Sequence, residues 1–244
     1  MPRFGRCLLV AAVLCLAVAP AHARSRGATA TAGDFDYFLL SLSVAPSFCA
    51  LSQANAAKAE CRALTEADFR QTPLTVHGLW PNRAGVSVNR QPQDCDGPPL
   101  GSLPTSVQAD LRRYMPAGPG LESYEWRKHG ACSGLAPEAY FTAVAHVAQQ
   151  ADDTIGAAIR EQGMFGRVVR IADLLAAVAR QHKALAEAIV VNCRFPRGGG
   201  QALIDEIRVT LSKALVPIPA QSVGLGQNSG CPQGAGLLPA GPNP

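Results

Sequence analysis

No two of the chain's cysteines stand in a Cys-x2-Cys spacing, which leaves a structural zinc site without support. There is no His-Glu-x-x-His pattern either, so no helix offers two histidines one turn apart to a catalytic metal. No apolar run reaches the roughly 20 residues that cross a membrane; Cys7 to Ala19 falls short, and no second stretch of that kind exists. Internal repeats and interdomain linkers are absent, which leaves a single domain with a substantial core. Charge of one sign is also scarce. A formal net charge of +4 is too small for a broad polycationic surface, so contact with nucleic acid must be local and salt-sensitive.

The first residues present read as an address. Arg3 and Arg6 make a basic start, Cys7 to Ala19 is apolar, and Ala21-His22-Ala23 puts small residues where signal peptidase reads. Cleavage near Ala23 predicts a signal peptide over 1–23 and a mature domain over 24–244, periplasmic or secreted and without a membrane anchor. Loss of Arg3 and Arg6 takes the net charge from +4 to about +2. Loss of Cys7 and Cys15 leaves Cys49, Cys61, Cys95, Cys132, Cys193 and Cys231, an even set that an exported chain oxidises to disulfides. Counting leaves their pairing open, although the short polar span from Cys49 to Cys61 suits a local bridge.

Arg24 to Gly33 reads as a frayed lead-in. Phe35 to Val44 offers apolar side chains to both faces and predicts a central strand. Leu74 and Val76 alternate with Thr75 and His77, which places His77 at or just past a strand end, since Gly78 and Pro81 discourage continuation. Asn82 to Pro104 reads as a long loop. Thr105 is a candidate cap for a helix to Tyr114, and Pro116 to Gly120 breaks the chain before Glu122 to Lys128. Helical spacing recurs over Ala136 to Gln150 and Ile171 to Arg180. Ile189 to Phe195 reads as a strand, and Ile207, Val209 and Leu211 alternate with Arg208, Thr210 and Ser212 as another. Irregular interleaving of strands and helices predicts an α+β fold.

Two segments carry chemistry: Thr75-Val76-His77-Gly78-Leu79-Trp80-Pro81 and Tyr124-Glu125-Trp126-Arg127-Lys128-His129-Gly130. If Ser123 to His129 is helical, Glu125 and His129 are i,i+4 neighbours and Lys128 lies i+3 from Glu125. One turn then holds an imidazole, a carboxylate able to bind its ring proton, and an ammonium. Two histidines, a cation and a carboxylate suffice for metal-free phosphoryl transfer, and Lys128 would repel a metal cation. On spacing alone the same residues also fit a solvated helix face, and Trp80 fits either a core or a base-stacking position. A bond between Cys95 and Cys132 would join the loop after His77 to the second segment and hold both histidines in register.

The two segments resemble the active-site motifs of the ribonuclease T2 family, the secreted acid ribonucleases. The family's His-Gly-Leu-Trp-Pro is His77-Gly78-Leu79-Trp80-Pro81, and its Glu-Trp-x-Lys-His-Gly is Glu125-Trp126-Arg127-Lys128-His129-Gly130. Phe35-Asp36-Tyr37 and Pro46-Ser47-Phe48-Cys49 continue the likeness upstream, and Cys193 and Asp205-Glu206-Ile207-Arg208 do so more loosely downstream. The resemblance implies an α+β domain with a central antiparallel sheet and several helices. It also implies an endoribonuclease that needs no metal or cofactor and cleaves RNA through a 2′,3′-cyclic phosphate with low base specificity. His77 and His129 are then the acid–base pair, with His129 as base and His77 as acid, while Glu125 and Lys128 assist at the phosphate. The substrate supplies the 2′-hydroxyl, so DNA is not cut. A monomer is expected. Trp80 is the candidate base stacker, Asn82 stands where relatives often have an acidic base contact, and Tyr124 where many have a third histidine. Thr210 stands where several have a cysteine. With Cys49–Cys61 and Cys95–Cys132 formed, Cys193 and Cys231 remain as the third pair. A non-catalytic RNA- or protein-binding relative is the competing reading, disfavoured because all four catalytic-type residues are kept.

Overall fold

The computed structural model describes Met1 and residues 30–242; the expected leader over 1–23 and its cleavage site lie, Met1 aside, outside the described residues. Seven strands form one sheet: β1 (Tyr37–Ser43), β2 (Thr75–Asn82), β3 (Arg167–Arg170), β4 (Ile189–Arg194), β5 (Leu203–Leu211), β6 (Asn228–Ser229) and β7 (Ala235–Leu238). The order is β2-β1-β5-β4-β6, with β7 beside the start of β5 and paired to β3. The long pairings β1–β2, β1–β5 and β4–β5 are all antiparallel. β1 is apolar on both faces because both are covered, as the unalternating pattern of Phe35 to Val44 predicts.

Four short helices, α1 (Ala45–Ala50), α2 (Gln53–Ala56), α3 (Ala59–Ala63) and α4 (Glu66–Gln71), fill the passage from β1 to β2. The Cys49–Cys61 disulfide bridges α1 and α3. Beyond β2 come α5 (Thr105–Tyr114), α6 (Pro119–Lys128) and α7 (Pro137–Ala151), which continues through a π-helical turn into α8 (Ala157–Glu161). Last are α9 (Ile171–Ala179) and α10 (Lys183–Ala188).

The sequence reading needs three local corrections. β2 does not stop at His77 but runs through Gly78 and Pro81 to Asn82. It is an edge strand, and its free side tolerates a residue without an N–H. Thr105 opens α5 from inside, with Pro104 in the cap position and no side-chain cap bond. α6 starts four residues before Ser123, because Gly118 takes φ 70° to turn the chain and Pro119 sits at the first helical position.

The main core lies between the sheet and α7, where Tyr140, Phe141, Val144 and Val147 are buried at helical spacing. Tyr140 ties the layers together, since its hydroxyl donates to the carbonyl of Leu79 in β2 at 2.8 Å. Its ring meets Trp126 of α6 edge-on at 5.6 Å, and the Trp126 indole donates to the Pro98 carbonyl at 2.8 Å. Gly130 completes this packing, because a Cβ there would lie 2.6 Å from the Trp126 ring and 2.9 Å from Tyr140. Two further disulfides join distant segments: Cys95–Cys132 links the loop after β2 to the turn after α6, and Cys193–Cys231 ties the C-terminal segment to β4. Thr210 is fully buried in β5, and its hydroxyl donates to the Ile218 carbonyl at 2.5 Å, so a hydrogen bond tethers the following segment there. Tyr140→Phe should cost about 1–3 kcal/mol in denaturant unfolding, because a buried carbonyl loses a donor. An unchanged midpoint would show that the hydroxyl does not hold α7 to β2.

Candidate active site

His77 owes its position to a β-bulge. Val76 pairs with Leu42 and Gly78 with Ser41, so His77 is the extra residue between them. The bulge lets Val76 and Leu79 both face the core, while the His77 and Trp80 rings meet on the other face with centroids 5.1 Å apart. α6 supplies the second histidine. Lys128 is its last residue, and His129 has left helical geometry at φ −130°, although its N–H still donates to the Glu125 carbonyl at 2.9 Å. The His129 ring lies against Trp80 with centroids 5.3 Å apart. Both imidazoles therefore lie against one indole.

A single hydrogen bond joins the two segments. The Trp80 indole N–H donates to Glu125 Oε2 at 2.8 Å. It does so through space that only glycine leaves open: a Cβ on Gly78 would lie 2.1 Å from Glu125 Oε2 and 2.2 Å from the indole nitrogen. Glu125 is 1% exposed, and its other oxygen, Oε1, has no hydrogen-bond partner and lies 3.9 Å from His77 Nε2.

The helical spacing of Glu125 and His129 thus predicts a contact that does not form. The carboxylate turns toward Trp80 and His77, because the helix ends at Lys128 and the His129 backbone swings its ring away from the i,i+4 position. Lys128 does not pair with Glu125 either; its ammonium meets Asp94 Oδ2 at 2.6 Å, and the Asp94 N–H donates back to the Lys128 carbonyl at 2.9 Å. Asn82 is buried, and its amide donates to the Tyr37 hydroxyl at 3.4 Å. Tyr124 is 46% exposed. Together with His77, Phe48, Lys58, Leu121 and Arg112 it lines a cavity of about 830 Å³ beside His77.

Glu206, Arg208 and Asp94 escape the motif reading. Glu206 Oε1 meets His77 Nδ1 at 3.0 Å, and Arg208 Nε donates to Glu206 Oε2 at 2.8 Å. Both project from β5 across β1, where their partners Ser43 and Ser41 are small enough to leave room. A signal existed: Glu206 and Arg208 continue the polar side of the Ile207, Val209, Leu211 alternation. For Asp94 there was none, since its contact with Lys128 depends on the Cys95–Cys132 bridge beside it.

These surroundings separate the two imidazoles. For His77, burial disfavours the charged ring, but the Glu206 hydrogen bond and the Glu125 and Glu206 charges outweigh burial and Arg208, and its pKa rises. For His129, burial, then the Lys128 and His77 charges, lower the pKa to about 4, against a smaller pull from Asp94. Burial lifts Glu125 to about 7, against the His77 charge and the Trp80 bond. Glu206 goes the other way despite burial, held at about 2 chiefly by His77 and Arg208. The arrangement favours the charged form of His77 and the neutral form of His129, two imidazoles that touch the same indole. Such a pair can serve as proton donor and proton acceptor. Among the described residues no three His, Cys, Asp or Glu side chains are grouped to hold a metal ion.

The Ribonuclease T2 family model matches residues 35–219, a span that includes both histidine segments and Glu206. Ribonuclease I of Escherichia coli (strain K12) is 30% identical over 236 residues, 82% of each chain. Ribonuclease MC1 from the seeds of bitter gourd shares the fold with a TM-score of 0.62 at 19% identity, covering 83% of this chain and 100% of that one. The SF11-RNase of Nicotiana alata does so at 0.59 and 16%, over 84% and 100%. Matched over most of its described length and across both motifs, the chain belongs to the Ribonuclease T2 family.

Proposed function

We propose that His77 and His129 divide the proton transfers of a metal-independent endoribonuclease reaction. The observation that carries the reading is their opposite electrostatic setting in contact with one indole, that of Trp80. Neutral His129 takes the proton of the substrate 2′-hydroxyl while that oxygen bonds to phosphorus. The bond from phosphorus to the 5′-oxygen breaks, and protonated His77 gives its Nε2 proton to the departing oxygen. The products are a 2′,3′-cyclic phosphate and a free 5′-hydroxyl. Water then opens the cyclic ester by the same transfers in reverse.

Glu125 and Lys128 serve the phosphoryl oxygens. With its pKa near 7, Glu125 is partly a neutral acid at neutral pH, so its unpartnered Oε1 can donate to a phosphoryl oxygen instead of repelling it. Lys128 stabilises the charge that builds there once substrate draws it from Asp94. The cavity beside His77 is the place for a nucleoside, with Phe48, Leu121 and Tyr124 offering broad apolar and aromatic surface in keeping with low base specificity. Trp80, hydrogen-bonded to Glu125 and in contact with both imidazoles, is tied into the site and is not a free stacking platform. The Asn82 amide is taken by Tyr37, so of the three base-contact candidates Tyr124 is the best placed. DNA lacks the nucleophile and is not cut. The protein works as an exported monomer after removal of residues 1–23, and no helix among the described residues is long and apolar enough to cross a membrane.

RNA incubated with the purified protein in EDTA should yield 2′,3′-cyclic phosphate ends. His77→Ala and His129→Ala should each lower kcat/KM by about 10²–10⁴-fold. Cleavage that survives the double substitution would sink the mechanism. The pH profile follows from the two settings. Below about 4 His129 is protonated and cannot accept, so activity rises through that pH; at high pH His77 loses its proton, and activity falls at a pH above the ordinary histidine value. A profile with a single limb contradicts the pairing. Sequencing the N-terminus of protein recovered from the periplasm or medium should start near Arg24, whereas an intact Met1 rules out leader cleavage.

A further inference from the structure

The two transfers leave unused the ion pair that abuts His77. Glu206 is 5% exposed and has two oxygens with two different partners: Arg208 takes Oε2, while Oε1 faces His77 Nδ1. We infer that Glu206, oriented by Arg208, is a positioning residue that commits His77 to donating a proton to the leaving oxygen, an inference that rests on the acid–base reading above. An ionised carboxylate only accepts, so Nδ1 must carry a hydrogen and Nε2 is left as the nitrogen that titrates toward the substrate. Arg208 fixes the carboxylate from behind. Its guanidinium lies over the Trp80 ring, 5.9 Å from the centroid. His129 has no such partner: Asp94, the carboxylate whose charge reaches it, is bound to Lys128. The charged groups facing His77 are Glu125 from α6, Glu206 and Arg208 from β5, and His129 from the turn after α6. Removing Glu206 alone turns the balance on β5 positive and loosens the proton on His77.

Leaving-group dependence separates this role from a structural one. Wild type and Glu206→Gln would be compared on a diribonucleotide and on the matching ribonucleoside 3′-(4-nitrophenyl phosphate), whose phenolate departs without a proton. The variant should lose about 10–100-fold in kcat on the diribonucleotide, keep kcat within about threefold on the nitrophenyl ester, and move the high-pH limb to lower pH. Arg208→Gln, which keeps the carboxylate and removes the opposing charge, should move that limb to higher pH. Equal losses on both substrates, no loss on either, or a limb that both variants leave in place overturns the assignment. The parent variants keep the two failures apart. His77→Ala should show the same split and His129→Ala should lose both substrates; if these two cleave the diribonucleotide normally, the acid–base reading itself fails.

Discussion

The hydrogen bond from the Trp80 indole to Glu125 decides where everything else in the site stands. It is the point at which β2 and α6 meet, and it passes through the volume that the Gly78 side chain would otherwise fill. Because the indole is pinned at its nitrogen, it offers a fixed surface that both imidazoles touch. Because the carboxylate is pinned at Oε2, its other oxygen stays unpartnered and close to His77. Gly130 does the equivalent work behind the site, letting Trp126 and Tyr140 close over the helix end. The glycines beside the two histidines are therefore contacts in themselves, places where two segments touch because one side chain is missing.

Burial acts on all four ionisable groups of the site, and the outcomes diverge because their neighbours differ. His77 and Glu206 stabilise each other's charged form and overcome desolvation together. His129 and Glu125 lack an equally close partner of opposite charge, and both are driven toward neutrality. A chain with little excess charge overall can still drive two imidazoles on one indole in opposite directions, since the asymmetry is made by placement.

Much of this was legible beforehand and some was not, for reasons that lie in range. The apolar run of β1, the helical periodicity of α7 and the turn chemistry before α6 are local, and the chain obeys them. Within each motif the spacing is local too, which is why His77 and His129 stood out. The partner of Glu125 was misread because i,i+4 spacing describes an unbroken helix, and this helix ends one residue before the imidazole. Strand β2 was cut short because glycine and proline argue against a strand only in general, and edge position with a bulge overrides them here. The pairings of Glu206 with His77 and Asp94 with Lys128 span long sequence separations and depend on strand order and a disulfide.

The bulge at His77 has a consequence for how the fold and the chemistry constrain each other. On either side of it β2 keeps strict alternation, but with opposite parity, so Val76 and Leu79 both reach the core. The imidazole is supernumerary to the ladder: β1 has no residue opposite it, and the core has no hole shaped for it. The side chain at this position is thus held by other side chains and not by the ladder, with Trp80 against its ring and Glu206 at Nδ1. The sheet sets only its direction, and everything else about its setting comes from those neighbours.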